Sequence, residues 1–141
     1  MRLAVVVNPD AGLGGKLGFK GSDGRAAEAR AAGAQDRAGP RMKICLEKLS
    51  ELARGPIEIL AWDGRMGGDW IPGEYTSTGK TPDTTDASST SEFIKAHSPD
   101  LFLYAGGDGT TRDIVEALED REIPLVGVPG GVKMHSGCFA T

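Results

Sequence analysis

Residues 101–118, LFLYAGGDGTTRDIVEAL, constrain the fold more than any other stretch of the chain. An apolar run ends in small residues, and a helical pattern begins at once after them. Between the two sits Asp108, held in a collar of glycines. The uninterrupted apolar run DLFLYA suits a strand buried on both faces, as in a parallel sheet. TTRDIVEALED predicts a helix with Ile114, Val115 and Leu118 on one face, and Thr110 with Asp113 has capping-box spacing. Parallel strands need crossover connections, usually helical, so such a unit places the chain in the α/β class.

The rest of the chain repeats the pattern. LAVVV, residues 3–7, is a β-branched run stopped by Asn8-Pro9 and predicts a second buried strand. RMKICLEKLSELARG predicts a helix with Met42, Cys45, Leu46, Leu49, Leu52 and Ala53 on its apolar face and Gly55 as its stop. RAAEARAAGA predicts a short helix ending near Gly33. PIEILAW (56–62) and IPLVGVP (123–129) read as strands, and a short strand is expected near GEYTST. TTDASSTSEFIKAH predicts a helix capped by Thr84 or Thr85, with Phe93 and Ile94 buried and His97 at its end. The expected architecture is a single domain over residues 1–141: a Rossmann-like, mostly parallel sheet with flanking helices, its ligands at the carboxyl ends of the strands.

Composition narrows the function. A formal net charge of −4 argues against non-specific binding to nucleic acid or anionic membranes. The N-terminal apolar run is too short for a signal peptide or a spanning helix, so a cytoplasmic protein is expected. The two cysteines, Cys45 and Cys138, have no metal-ligand spacing, and Cys45 is expected as a buried thiol. The 21 glycines show no period, which points to phosphate loops and tight turns.

Three glycine-rich segments follow three expected strands, and parallel strands would bring all three to one edge of the sheet. In Gly106-Gly107-Asp108-Gly109-Thr110, glycines let backbone N–H groups approach a ligand, and the following helix aims its N-terminus at the same place. That is an anion site, most naturally for phosphate. An aspartate there either binds a divalent cation such as Mg²⁺ that neutralises the phosphates, or accepts the proton of an attacking hydroxyl, or serves only as a turn residue. The first loop, NPDAGLGGKLGFKGSDG, lacks Walker A spacing; Gly12, Gly14 and Gly18 come near a dinucleotide fingerprint, but no helix follows. Gly12, Gly14 and Gly15 are candidate cofactor-binding glycines, Lys16 and Lys20 are either phosphate contacts or solvated lysines, and Asn8 either meets a ligand or closes an Asx-turn. In the third loop, PGGVKMHSGCFA, Lys133 and His135 are candidate ligand contacts or structural residues, while His97 is expected to have no catalytic part.

Taken together, NPDAGLGG with KGSDG, AGGDGTTRDI and GVPGGVKMHSGCFAT resemble the ATP-NAD kinase family, in its polyphosphate/ATP-dependent branch, over essentially the whole chain. The GGDGT element also resembles diacylglycerol and sphingosine kinases, so a lipid kinase is an alternative, as is a non-catalytic nucleotide-binding fragment. The resemblance implies an N-terminal α/β domain followed by a β-rich second domain. It implies transfer of a terminal phosphate from ATP or polyphosphate to the 2′-hydroxyl of NAD, giving NADP, in a homo-oligomer. Carried over by motif, Asp108 would be the general base, with Gly106, Gly107, Gly109 and Thr110 shaping the phosphate site. The sequence stops at Thr141, after the third motif and without the family's Asn-Glu motif. It is therefore expected to be the front half of such a kinase, to bind nucleotide weakly and turn over poorly or not at all alone, and to expose an apolar patch.

Overall fold

The computed structural model of the chain describes residues 1–11, 37–131, 135 and 137–140. In chain order these form β1 (Arg2–Val7), α1 (Ala38–Leu52), β2 (Glu58–Asp63), a 3-10 turn (Gly68–Trp70), β3 (Thr76–Lys80), α2 (Ala87–Ala96), β4 (Leu101–Gly106), α3 (Asp108–Leu118) and β5 (Leu125–Pro129). The expected helix at 25–34 lies outside the described residues, as do Gly12, Gly14, Gly15, Lys16, Gly18, Lys20 and Lys133.

The five strands form one sheet in the order β3-β2-β1-β4-β5, and every pairing is parallel. β1 lies in the middle and is buried on both faces. Leu3, Val5 and Val7 pack with Ala38, Met42 and Leu46 of α1, while Ala4 and Val6 pack with Phe93 and Ile94 of α2 and Ile114 and Leu118 of α3. β4 divides in the same way, Leu103 and Ala105 toward α1, Phe102 and Tyr104 toward α2 and α3. The layering follows from connection handedness. The chain leaves β1 toward β2 and β3, then crosses back to β4 and β5. Right-handed crossovers in opposite directions must put their helices on opposite faces. The order reverses between β1 and β4, the position at which open sheets of this kind form a crevice at the carboxyl ends of their strands.

Several local expectations are corrected. α3 starts at Asp108 with Gly107 as its N-cap, so Thr110 lies inside the helix and caps nothing. Its buried stripe is Thr110, Thr111, Ile114, Ala117 and Leu118, whereas Val115 is 52% exposed. The sheet thus takes the threonine side of α3, because both hydroxyls find partners: Thr111 Oγ1 lies 2.6 Å from the Tyr104 hydroxyl, and Thr110 Oγ1 is 2.9 Å from Asn8 Nδ2. The cap of α2 is Asp86, neither Thr84 nor Thr85. Its carboxylate accepts from the Ser88 and Ser89 amides while Ser89 Oγ accepts from the Asp86 amide, a reciprocal capping box. α1 starts at Ala38 and ends at Leu52, and Leu52 and Ala53 lie in solvent. Cys45 is half-buried against the α1-side core, and that burial raises its thiol above the ordinary value of 9.0. His97 is buried, with Nδ1 donating to Phe93 O at 2.6 Å and its ring stacked on Phe93. It locks the end of α2 through these contacts. Among the described residues, the exposed large apolar side chains are Met1, Ile44, Leu52 and Val115. Val115 is on the opposite side of the sheet from Ile44 and Leu52. No helix among the described residues is long and apolar enough to cross a membrane.

Candidate functional site

Strand register fixes where the loops begin. Val7 pairs with Ala105, and Gly106 pairs with Pro129, so β1, β4 and β5 end at one level. The loops leaving them are joined pairwise. Between the first and second, Asn8 Nδ2 donates to Thr110 Oγ1 at 2.9 Å and the Asn8 amide donates to Ala105 O at 2.9 Å. Asn8 Oδ1 meanwhile accepts the Asp10 amide at 3.1 Å, an Asx-turn. Its side chain therefore braces the crevice between β1 and β4 from within.

The second and third loops meet more closely. The Gly130 amide donates to Gly106 O at 2.8 Å, and a Cβ on Gly130 would stand 3.0 Å from Gly106 Cα and 3.1 Å from Ala11 Cβ. One glycine thus touches the ends of both other loops. A Cβ on Gly106 would lie 2.5 Å from Thr110 Oγ1 and 2.6 Å from Thr110 Cβ, so no side chain fits between β4 and the first turn of α3. Above this contact the His135 amide donates to both oxygens of the Asp108 carboxylate, at 3.0 and 2.9 Å. All three loops converge, and a carboxylate marks the point where the second and third meet.

Asp108 is half-buried at the first position of α3, behind an N-cap glycine that offers no side chain. Its orientation follows from helix geometry, since first-turn residues sit beside the amide groups that lack intrahelical acceptors. A carboxylate has about four lone-pair directions, so the His135 N–H does not by itself saturate Asp108 as an acceptor. Gly109 is the contrasting glycine: a Cβ there would meet nothing within 4 Å. His135 is exposed, and its backbone, not its imidazole, makes the contact with Asp108. Among the described residues no group of three His, Cys, Asp or Glu side chains is placed to hold a metal ion. Carboxylate and phosphate oxygens are the donors Mg²⁺ prefers, and it commonly takes one or two carboxylates along with substrate phosphates, so Asp108 fits that mode of binding.

Some neighbours of the site had no signature in the sequence. Arg41 of α1 reaches the third loop, with Nη1 donating to Pro129 O at 2.8 Å and to Gly131 O at 3.1 Å. Arg65, just past β2, lies 3.8 Å from Asp10 of the first loop, and Thr85 donates to Asp10 at 3.4 Å. These contacts span tens of residues along the chain, which no local pattern can announce. Below the loops, burial raises the Tyr104 phenol above its ordinary 10.0, while its bond to Thr111 opposes the rise. A cavity of about 240 Å³ lined by Leu46, Leu49, Ile57, Ile59 and Pro72 lies at the amino end of β2, opposite this rim.

No curated protein and no solved structure gives a significant match to the chain. A family model does: the ATP-NAD kinase N-terminal domain matches residues 3–141, spanning all five strands and the three loops at their carboxyl ends. The chain belongs to the ATP-NAD kinase family, a family of phosphotransferases, and carries its N-terminal domain.

Proposed function

We propose that this domain binds the phosphates of ATP or polyphosphate in the cradle formed by its three loops, and directs the terminal phosphate to the 2′-hydroxyl of the adenosine ribose of NAD. The observation that carries this reading is the Asp108 carboxylate standing at the junction of the second and third loops, bonded to the His135 amide. In the reaction the ribose oxygen bonds to the terminal phosphorus, the bond from that phosphorus to the donor's bridging oxygen breaks, and the hydroxyl proton passes to Asp108. ADP, or the shortened polyphosphate, leaves with the electron pair, and the product is NADP.

Each part of the site has a physical task. The first-turn amides of α3 and the collar at Gly106, Gly107 and Gly109 give the phosphate oxygens hydrogen-bond donors without steric obstruction. Gly12, Gly14 and Gly15 of the first loop, and Lys133 and the His135 side chain of the third, are further phosphate contacts in this reading. Asn8 and Thr110 hold the first loop on α3. A divalent cation such as Mg²⁺, carried on the phosphates and met by Asp108, would supply charge neutralisation. Positioning and electrostatics are the main catalytic resources in phosphoryl transfer, which suits a site made of backbone donors and one carboxylate. A β-rich second domain completing the NAD site, a cytoplasmic location and a homo-oligomeric state belong to the same reading and rest on family resemblance.

The test is NADP formation from NAD with ATP and, separately, with polyphosphate. Asp108→Asn keeps the side-chain shape but cannot take the proton, and it should lower kcat by about 100-fold or more, the usual worth of a positioned base. An Asp108→Asn protein with the parent rate would remove the general base from the mechanism.

A further inference from the structure

The third loop is held from an unexpected direction. α1 packs on the face of the sheet opposite α2 and α3, yet its first turn reaches the carboxyl rim through Arg41. One Nη of a guanidinium carries two hydrogens, and here Arg41 Nη1 meets two carbonyls of the same turn, Pro129 O at 2.8 Å and Gly131 O at 3.1 Å. Those carbonyls flank Gly130, the residue in contact with both Gly106 and Ala11. A few residues further on, the His135 amide caps Asp108.

We propose that Arg41 is a positioning residue: it clamps the turn after β5 so that Gly130 stays seated on Gly106 and the His135 amide stays on the Asp108 carboxylate. The clamp rests on the functional reading above only in what it does for the reaction; the tethering of the turn stands on geometry alone. Charge-assisted bonds from a half-buried guanidinium to two carbonyls are strong for their size. The two carbonyls sit at and just past the last rung of the β4–β5 ladder, where Gly106 pairs with Pro129. Lysine could reach the same oxygens, but as a point charge on a flexible stem, so it should restore part of the effect. Methionine keeps the stem and removes every donor.

The experiment uses the ¹⁵N-labelled chain as parent, Arg41→Met, Arg41→Lys, Asp108→Asn and the double variant Arg41→Met/Asp108→Asn. Arg41→Met should speed amide exchange at His135 by about fivefold or more and leave Val5 and Leu103 of the core strands unchanged, with Arg41→Lys in between. In the NADP assay Arg41→Met should lower kcat by about tenfold with KM for NAD within about twofold, and it should add little in the Asp108→Asn background because both act through one carboxylate. Unchanged exchange at His135, or a kcat loss that multiplies fully with that of Asp108→Asn, would overturn the proposal. Where the parent forms no NADP, the exchange data alone decide whether Arg41 holds the turn; if Mg·ATP also leaves the amides of residues 106–110 unshifted, the functional reading fails.

Discussion

Two glycines three residues apart should respond in opposite ways to the same added methyl group. At Gly106 the new Cβ would stand 2.5 Å from Thr110 Oγ1, 2.6 Å from Thr110 Cβ and 2.8 Å from Thr110 Cγ2. Thr110 cannot swing clear, since it is 5% exposed and its hydroxyl is bonded to Asn8 Nδ2 at 2.9 Å. Overpacking of this kind costs about 1–3 kcal/mol, and loss of the Asn8 bond adds about 1 kcal/mol. The lower entropy of an unfolded alanine chain returns about 0.4–1 kcal/mol. The net for Gly106→Ala is a destabilisation of about 2–3 kcal/mol, or roughly 10 °C in Tm for a domain of this size. At Gly109 the same Cβ meets nothing within 4 Å. Gly109→Ala sits inside α3, where alanine is favoured over glycine by about 0.5–1 kcal/mol, so its Tm should hold or rise. Its methyl group would instead stand where phosphate is proposed to bind, and ATP affinity should fall about tenfold, a change of ~1.4 kcal/mol. Thermal melts of both variants and ATP titration of Gly109→Ala are the assays. A Gly106→Ala protein that melts with the parent would refute the packing argument, and a Gly109→Ala protein with parental ATP affinity would refute the phosphate collar.

Other perturbations probe the frame around the site. Arg121 donates to His97 O at 2.6 Å and Ile94 O at 2.8 Å, closing the carboxyl end of α2; Arg121→Met should cost about 2 kcal/mol and lower Tm by roughly 6–10 °C in a melt at neutral pH. Burial holds the Tyr104 phenol above its ordinary 10.0. The unfolded chain therefore gives up that proton first, and stability present below pH 10 is lost as pH rises through the folded value. Denaturant unfolding followed from pH 8 to 11 should show that loss in the parent and a flatter alkaline limb in Tyr104→Phe.

Much of the fold could be read from the residues because parallel strands announce themselves. LAVVV and DLFLYA are apolar on both faces, and each proved to be a strand between two helical layers. Parallel pairing then puts the loops after β1, β4 and β5 on one edge, so their convergence followed from pattern and topology. Finer assignments failed where several residues could do one job. Thr84, Thr85 and Asp86 can all cap a helix, and the last is chosen because its carboxylate reaches the Ser88 and Ser89 amides. Val115 is apolar but lies on the solvent side of α3, because the hydroxyls of the threonine stripe find partners in the Tyr104 hydroxyl and the Asn8 side-chain amide. β3 runs over Thr76–Lys80, later than GEYTST suggests, since an exposed edge strand carries no apolar alternation to mark its register. Arg41 was not legible at all: its acceptors are 88 and 90 residues away, and a helix-start arginine looks the same whether it clamps a turn or faces water.

The convergence of three loops on bound phosphate is tested most directly by titrating the ¹⁵N-labelled chain with Mg·ATP and mapping the amide shifts. The largest changes should fall at Asn8, at residues 106–110, at Gly130–Gly131 and at His135, with Leu49, Ile57 and Ile59 at the far end of the sheet silent. Shifts confined to that far end, or saturating changes that leave residues 106–110 untouched, would contradict a phosphate cradle at the carboxyl rim.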